Sequence, residues 1–181
     1  LGNMSVIMLF ILPLITMKPF AEERKSGTME LLFTYPLTDL DIMLGKFLAA
    51  FSLFLIMLGL TLVYPLFLYI HSQPETGTLI TGYLGLLLLA ASFMALGLFI
   101  SSLTENQIIA AVATFAVLLT FWFINFWSES NQVLRHLSIL EHFSSFAEGV
   151  IDSRDVVFYL SFILLWLFLT LRVLESKKWR S

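Results

Sequence analysis

The chain has 181 residues, of which 59% are hydrophobic and 13% charged, and its formal net charge is −3. A soluble domain has roughly 45–50% apolar and about 25% charged residues, so this composition excludes a water-soluble fold. The sequence has no cysteine and no long run of Lys or Arg, which excludes a disulfide framework, a thiolate metal site and a nucleic-acid surface. We expect an all-α membrane protein with a single transmembrane domain over residues 1–181, because backbone groups in lipid must be paired within each segment.

The first apolar stretch, residues 1–15, is expected to be part of a membrane helix. It has no charged residue before Lys18, whereas a secretory signal peptide carries its basic residues ahead of the apolar core. The chain starts at Leu1 rather than at a methionine, which indicates a truncated sequence. Because the charge pattern described below places its visible N-terminus outside, we expect one further span ahead of it in the complete protein.

Four more stretches are apolar enough to cross a bilayer core of about 30 Å, which requires roughly 20 residues of helix. They cover residues 47–70, 79–103, 108–127 and 156–173. Pro13 and Pro65 lie within two of the predicted helices and can kink them, because proline removes one backbone hydrogen bond. Ala110, Ala113 and Thr114 form a small-residue face that allows close approach, either at a dimer interface or inside the subunit.

Lys and Arg indicate which side of the membrane each loop occupies, because short cytoplasmic loops retain positive charge. Of the ten Lys and Arg residues, all but Arg135 and Arg154 fall on one side of the five predicted spans. We therefore expect the segment 16–46 and the C-terminal tail to be cytoplasmic and the segment 128–155 to be external. In the complete protein both chain ends would be cytoplasmic, and the protein would lie in the inner, or plasma, membrane.

The predicted cytoplasmic segment has the signals of two short helices. Pro19 suits the first turn of a helix, and Gly27 suits a left-handed cap at its end. Thr28 can cap a second helix over residues 29–34, before Pro36 ends it.

The same segment also indicates a surface for a partner protein. Thr38 and Asp41 match a capping box at the start of the next helix, and Glu23 is expected on a solvent-facing helix surface. Alternating charges beside exposed apolar side chains favour docking on another protein. The apolar residues interpreted as exposed are Met29, Leu32 and Phe33. The alternative is a solvated amphipathic loop at the membrane surface.

The order of residues in this segment resembles that of the ABC type-2 permeases. The matching residues are Glu23, Gly27, Thr28, Glu30, Leu31, Pro36, Gly45 and Lys46. The resemblance implies a bundle of six helices, of which about five spans are present here, with an interfacial coupling helix and short external helices. It also implies a permease dimer with two ATPase subunits, on which the coupling helix docks. The residues expected to make that contact are Glu22, Glu23, Arg24, Gly27, Thr28, Glu30 and Leu31.

The external segment 128–155 has the apolar rhythm of short amphipathic helices. The resemblance implies that these helices close the outer mouth of the permease, and the alternative is a surface anchor without gating. Residues 148–152 and 175–179 are similar to those of a subgroup that contains gliding-motility permeases and maturation permeases of nitrous oxide reductase.

No catalytic or metal site is expected. The Gly45-Lys46 pair is not a phosphate-binding P-loop, because residue 40 is Leu and residue 47 is Phe instead of Gly and Ser or Thr. ATP hydrolysis would therefore belong to a separate subunit, and the chain would need no cofactor. The last two histidines are six residues apart, which places them on different helix faces. The predicted spans have no charged residue in their middles, which disfavours an ion-driven carrier.

These observations together predict the permease subunit of an export-type ATP-binding-cassette transporter. Its expected partners are cytoplasmic ATPase subunits, a second permease in a homodimer or heterodimer, and the lipid bilayer. The first alternative is a mechanical or assembly subunit that acts on an external-domain partner without moving a substrate. The second alternative is an ATP-independent channel or carrier. The residues do not specify a substrate.

Overall fold

The computed structural model describes residues 2–29, 37–71, 76–127 and 138–178, and all regular structure in those residues is helical. The helices are α1 (Gly2–Thr16), α2 (Lys18–Lys25), α3 (Asp39–Thr61), α4 (Val63–His71), α5 (Thr76–Leu103), α6 (Gln107–Trp127), α7 (Ile139–Ala147) and α8 (Ser153–Lys178). Five segments within the described residues are long and apolar enough to cross a membrane: Met4–Lys25, Asp39–Phe67, Thr76–Leu103, Gln107–Ile124 and Ser153–Ser176. The predicted all-α membrane class is confirmed.

Helix α5 is the centre of the bundle and packs against α1, α2, α3, α6, α7 and α8. Its residues are apolar on every face, a pattern that is typical of a fully buried helix. Small residues let several neighbours come close at once, and they include Gly85, Ala90, Ala91, Ala95 and Gly97. The buried apolar side chains of α5 join both core clusters of the molecule, one towards each end of the helix.

Two glycines of α5 mark where other segments approach its backbone. A Cβ atom on Gly97 would lie 2.7 Å from the Cβ atom of Thr16, at the end of α1. A Cβ atom on Gly85 would lie 2.6 Å from the Cβ atom of Phe146, in α7. The two glycines are about 18 Å apart along the helix axis, from a rise of about 1.5 Å per residue. The α1–α2 junction and α7 therefore pack near opposite ends of α5.

Helix α3 begins with the predicted capping box. The backbone N–H of Asp41 donates to the hydroxyl oxygen of Thr38 over 3.2 Å, and the backbone N–H of Thr38 donates to the Asp41 carboxylate over 3.0 Å. Because these bonds satisfy two otherwise unpaired N–H groups, the helix can start well before the apolar stretch begins at residue 47.

Pro65 explains why the helix that starts at Asp39 is interrupted at Leu62. Proline has no N–H group to donate to the carbonyl oxygen of Thr61, four residues earlier, so that oxygen needs another donor. The hydroxyl of Tyr83 in α5 donates to it over 3.3 Å. By contrast, Pro13 lies inside α1, which continues through it.

The small-residue face on α6 packs inside the chain at two of its three positions. Ala110 and Thr114 are both buried, and the Thr114 hydroxyl donates to the Ala110 carbonyl oxygen over 2.7 Å. Of the two alternatives for this face, the structure shows the contact within the subunit for these two residues. Ala113 is partly exposed.

Candidate functional site

The buried residue Ser101, near the end of α5, holds the start of α2. Its hydroxyl oxygen accepts hydrogen bonds from the backbone N–H groups of Phe20 (3.3 Å) and Ala21 (3.2 Å) and donates to the carbonyl oxygen of Met17 (3.0 Å). The first N–H groups of a helix have no partner within that helix, so a hydroxyl from another helix can cap them. The sequence indicated only that Ser101 is a polar residue in a span, because its partners are about 80 residues away in the chain.

Lys46 joins α3 to α2. Its ammonium nitrogen lies 2.5 Å from a carboxylate oxygen of Glu23 and 2.5 Å from the carbonyl oxygen of Pro19. The same nitrogen lies 5.0 Å from the centroid of the Phe20 ring, within cation–π range. The side chains of Lys46 and Glu23 are only 15% and 30% exposed. The expectation of a solvent-facing Glu23 was therefore wrong, because Glu23 pairs within the chain.

Arg24 faces partly inward on the neighbouring side of α2. One terminal nitrogen of its guanidinium group is buried without a hydrogen-bond partner in the part of the chain that the structure describes. Glu105, in the turn between α5 and α6, attracts its positive charge. Like that of Glu23, the side chain of Arg24 thus points partly towards the rest of the bundle and only partly towards solvent.

The residues of this segment that face outward form a small charged surface at the end of α2. We call it the exposed turn, and it consists of Glu22, Lys25, Ser26, Gly27 and Thr28. Gly27 has a φ angle of +70°, as expected for a left-handed cap, and a Cβ atom there would meet no other atom within 4 Å. The hydroxyl of Thr28 lies 2.9 Å from the hydroxyl of Ser26. The remaining predicted contact residues, Glu30 and Leu31, lie outside the described residues.

The start of the second short helix differs from the sequence-based expectation at Met29 and at Thr28. Met29 was interpreted as exposed, but it is only 7% exposed and packs in a cluster with Phe20, Ile42 and Met43. It is buried because side chains of both α2 and α3 pack against it. Thr28 is already helical, and its hydroxyl donates to the carbonyl oxygen of Glu23 over 3.3 Å. Leu32 and Phe33 lie outside the described residues.

The contacts of Ser101 and Lys46 with α2 form one polar cluster, and a second polar cluster lies at the other end of the bundle, where α7 meets α8. Nδ1 of His142 lies 2.6 Å from a carboxylate oxygen of Asp155, and the His142 ring stacks on Phe158 at a centroid distance of 4.1 Å. The hydroxyl of the buried Tyr159 donates to the carbonyl oxygen of Ile139 over 2.8 Å. Helix α7 is amphipathic, as predicted, and its apolar side packs on α5.

The two clusters are separated by most of the thickness of a bilayer. The residue of α5 that holds α2 is Ser101, and the residue that contacts α7 is Gly85. These positions are about 24 Å apart along the helix axis, compared with about 30 Å for a bilayer core. One central helix therefore contacts a charged segment at one end and a short amphipathic helix at the other.

Comparisons with known proteins identify the family of this chain. The sequence model of a protein family described as "ABC-2 family transporter protein" matches residues 1–152. The chain is 29% identical over 106 residues to YbhR of Escherichia coli K12, described as a probable multidrug ABC transporter permease, and the match covers 59% of this chain and 28% of YbhR. It is 32% identical over 110 residues to YbhS of the same organism, which has the same description, and that match covers 61% of this chain and 29% of YbhS.

The matched part of this chain thus spans less than a third of these relatives' length. No solved structure matches the chain at a significant level. The family model nevertheless covers most of the 181 residues, including α2, the exposed turn and α7. The chain is therefore a multi-pass membrane protein that belongs to the ABC-2 family of transporter proteins.

Proposed function

We propose that this chain is the membrane-spanning subunit of an export-type transporter, and that a separate cytoplasmic ATPase docks on its exposed turn. In this proposal two permease chains form a dimer and bind two ATPase subunits. The single observation that carries the proposal is the way in which α2 is held. Ser101 bonds it to α5 and Lys46 bonds it to α3, so a partner that moves the exposed turn also moves two membrane helices.

The position of α5 supports transmission of such a movement to the opposite end of the bundle. Its close approach to Phe146 at Gly85 couples it directly to α7. Because closely packed helices move as rigid bodies rather than deform, a shift of α5 would also displace α7. We infer that α7 and the residues around it respond to ATPase docking and gate the outer mouth.

Charge supports placing the exposed turn in the cytoplasm. Lys18, Lys25, Lys46 and Arg172 all belong to the α2 end of the bundle, as the positive-inside rule requires of a cytoplasmic face. The exposed turn itself carries both signs of charge, at Glu22 and Lys25. Exposed charges of both signs fix the orientation of a docking partner more than they add affinity.

Gly27 offers the sharpest test of docking. Gly27→Trp places a large side chain on the exposed turn, and Gly27→Asn is a matched control because asparagine tolerates the left-handed conformation without the bulk. We expect Trp to reduce binding of the ATPase subunit to the reconstituted permease by about tenfold, which corresponds to roughly 1.4 kcal/mol, and Asn to leave binding nearly unchanged. Permease-stimulated ATP hydrolysis should fall in parallel. Wild-type binding and stimulation with Gly27→Trp would contradict the docking proposal.

The description of both relatives as multidrug permeases favours substrate transport over a mechanical or assembly role. The narrower resemblance to gliding-motility and nitrous oxide reductase maturation permeases stays a prediction.

A further inference from the structure

A groove runs along the outside of the bundle between α1 and α3. Its deeper part is a cavity of about 180 Å³, and Ile7, Ile11 and Met57 are among the residues that line it. The part of the groove beside α2 is a wider hollow, and Ile15, Leu53 and Lys18 are among its lining residues. Ile11 and Ile15 are one helical turn apart on α1, so the two parts adjoin.

The deeper part of the groove has the character of a hydrocarbon site. Among the described residues that line it, Thr61 is the one polar residue, and its hydroxyl donates to the Leu58 carbonyl oxygen of its own helix over 2.6 Å. Ile7 and Met57 are 55% and 38% exposed, so the groove is open on its outer side. From Met4 to Ile15 the groove extends about 16 Å, which is close to half of a bilayer core of about 30 Å. One acyl chain of a single leaflet fits that length.

Of the four charged residues at the end of the groove beside α2, two are paired and two have no partner among the described residues. Glu23 and Lys46 pair with each other, as described above. Lys18 and Glu22 also line this end, and within the described residues neither side chain has an ion-pair or hydrogen-bond partner. They are four residues apart on α2 and so lie on the same helix face. The mouth of the groove thus presents one unpaired ammonium group beside one unpaired carboxylate.

We propose that this groove binds one phospholipid with a primary-amine headgroup, a phosphatidylethanolamine. Its phosphate contacts Lys18, its ammonium donates to Glu22, and one acyl chain lies between α1 and α3. A choline headgroup has no N–H to donate, and a glycerol headgroup brings no positive charge to the carboxylate. Glu22 therefore selects the ethanolamine headgroup, and Lys18 contributes to binding of any phospholipid. Binding of the lipid at this site does not require the ATPase.

The test uses lipids whose acyl chains carry bromine, which quenches a nearby fluorophore on contact. The chain has no cysteine, so Met57→Cys gives one labelling position in the groove. Leu160→Cys on α8 gives a control outside it, because Leu160 lies in another membrane-spanning helix and is 48% exposed. The labelled chain is reconstituted without ATPase in vesicles that contain equal fractions of brominated phosphatidylethanolamine, phosphatidylcholine or phosphatidylglycerol.

At position 57 we expect phosphatidylethanolamine to associate about threefold more strongly than the other two lipids, the size of effect that an exposed charge pair produces. Position 160 should show no headgroup preference. Glu22→Gln should remove the preference for ethanolamine over choline, and Lys18→Gln should weaken association of all three lipids. Glu175→Gln, at the same end of the bundle but on α8, should change nothing.

Three results would overturn the proposal. The first is equal quenching by the three lipids at position 57, which would make the groove a non-selective lipid contact. The second is an ethanolamine preference that survives Glu22→Gln. The third is quenching at position 160 with none at position 57, which would mean that protein rather than lipid fills the groove.

Discussion

At the scale of single residues, neighbouring charges on α2 have different roles. Glu22 is exposed and unpaired within the described residues, whereas Glu23 is bonded to Lys46. Composition and periodicity do not separate the two, because both are acidic residues in the same helical turn. Only the position of Lys46, brought close by the path of α3, decides which carboxylate is available to another molecule. A charge reversal at Glu23 would therefore disturb the permease itself and is a poor test of docking.

The Glu23–Lys46 pair predicts a specific pattern of stabilities. Glu23→Lys should lower the free energy of unfolding by about 1–3 kcal/mol, because it places two ammonium groups together in a partly buried site. Glu22→Lys is the matched control and should change it by less than about 0.5 kcal/mol. Combining Glu23→Lys with Lys46→Glu should restore part of the loss but not the bond to the Pro19 carbonyl, since glutamate cannot donate. Thermal unfolding in detergent measures the stability of each variant. A double variant that is no more stable than Glu23→Lys alone would refute the pairing.

At the scale of elements, local signals predicted helix ends and long-range contacts determined helix positions. The left-handed Gly27 and the Thr38–Asp41 capping box were predictable because each depends on residues within four positions of one another. The cap that Ser101 provides to α2 was not predictable, because it joins residues from distant parts of the chain. The burial of Met29 was also not predictable, because it follows from the packing of α2 and α3.

Removing the Ser101 hydroxyl should loosen α2 specifically. Ser101→Ala leaves the N–H groups of Phe20 and Ala21 without their partner, a change that costs about 1 kcal/mol for a typical helix cap. Ser92→Ala is the matched control, because the buried hydroxyl of Ser92 donates to the Leu88 carbonyl oxygen of its own helix over 2.9 Å. Amide hydrogen exchange in α2 should become several-fold faster in the first variant and not in the second, as the roughly 1 kcal/mol loss requires. Unchanged exchange in α2 would show that Ser101 does not hold this helix.

At the scale of the whole molecule, the two polar clusters at opposite ends of α5 allow a direct test of topology. Lys25 lies on the exposed turn and Glu148 follows α7, and both are exposed. In a chain without native cysteine, Lys25→Cys and Glu148→Cys each give a single labelling position. We expect a membrane-impermeant maleimide to label position 148 in intact cells and position 25 only after permeabilisation, because cytoplasmic loops retain positive charge. Labelling of both positions from the same side would contradict the proposed orientation.

The sequence by itself determined that this protein is an all-helical membrane protein with five spans in the described residues, because a bilayer core demands long apolar segments whose backbone groups are paired internally. It also indicated the family, through residues that lie close together in one charged segment. Tertiary structure decided which residues of that segment remain available. Glu23, Arg24 and Met29 turn towards the bundle, and Glu22, Lys25 and Gly27 stay outside. The reason is that a membrane span requires only a long apolar stretch, which the sequence shows directly. The exposure of each charged side chain depends instead on which distant helices pack beside it.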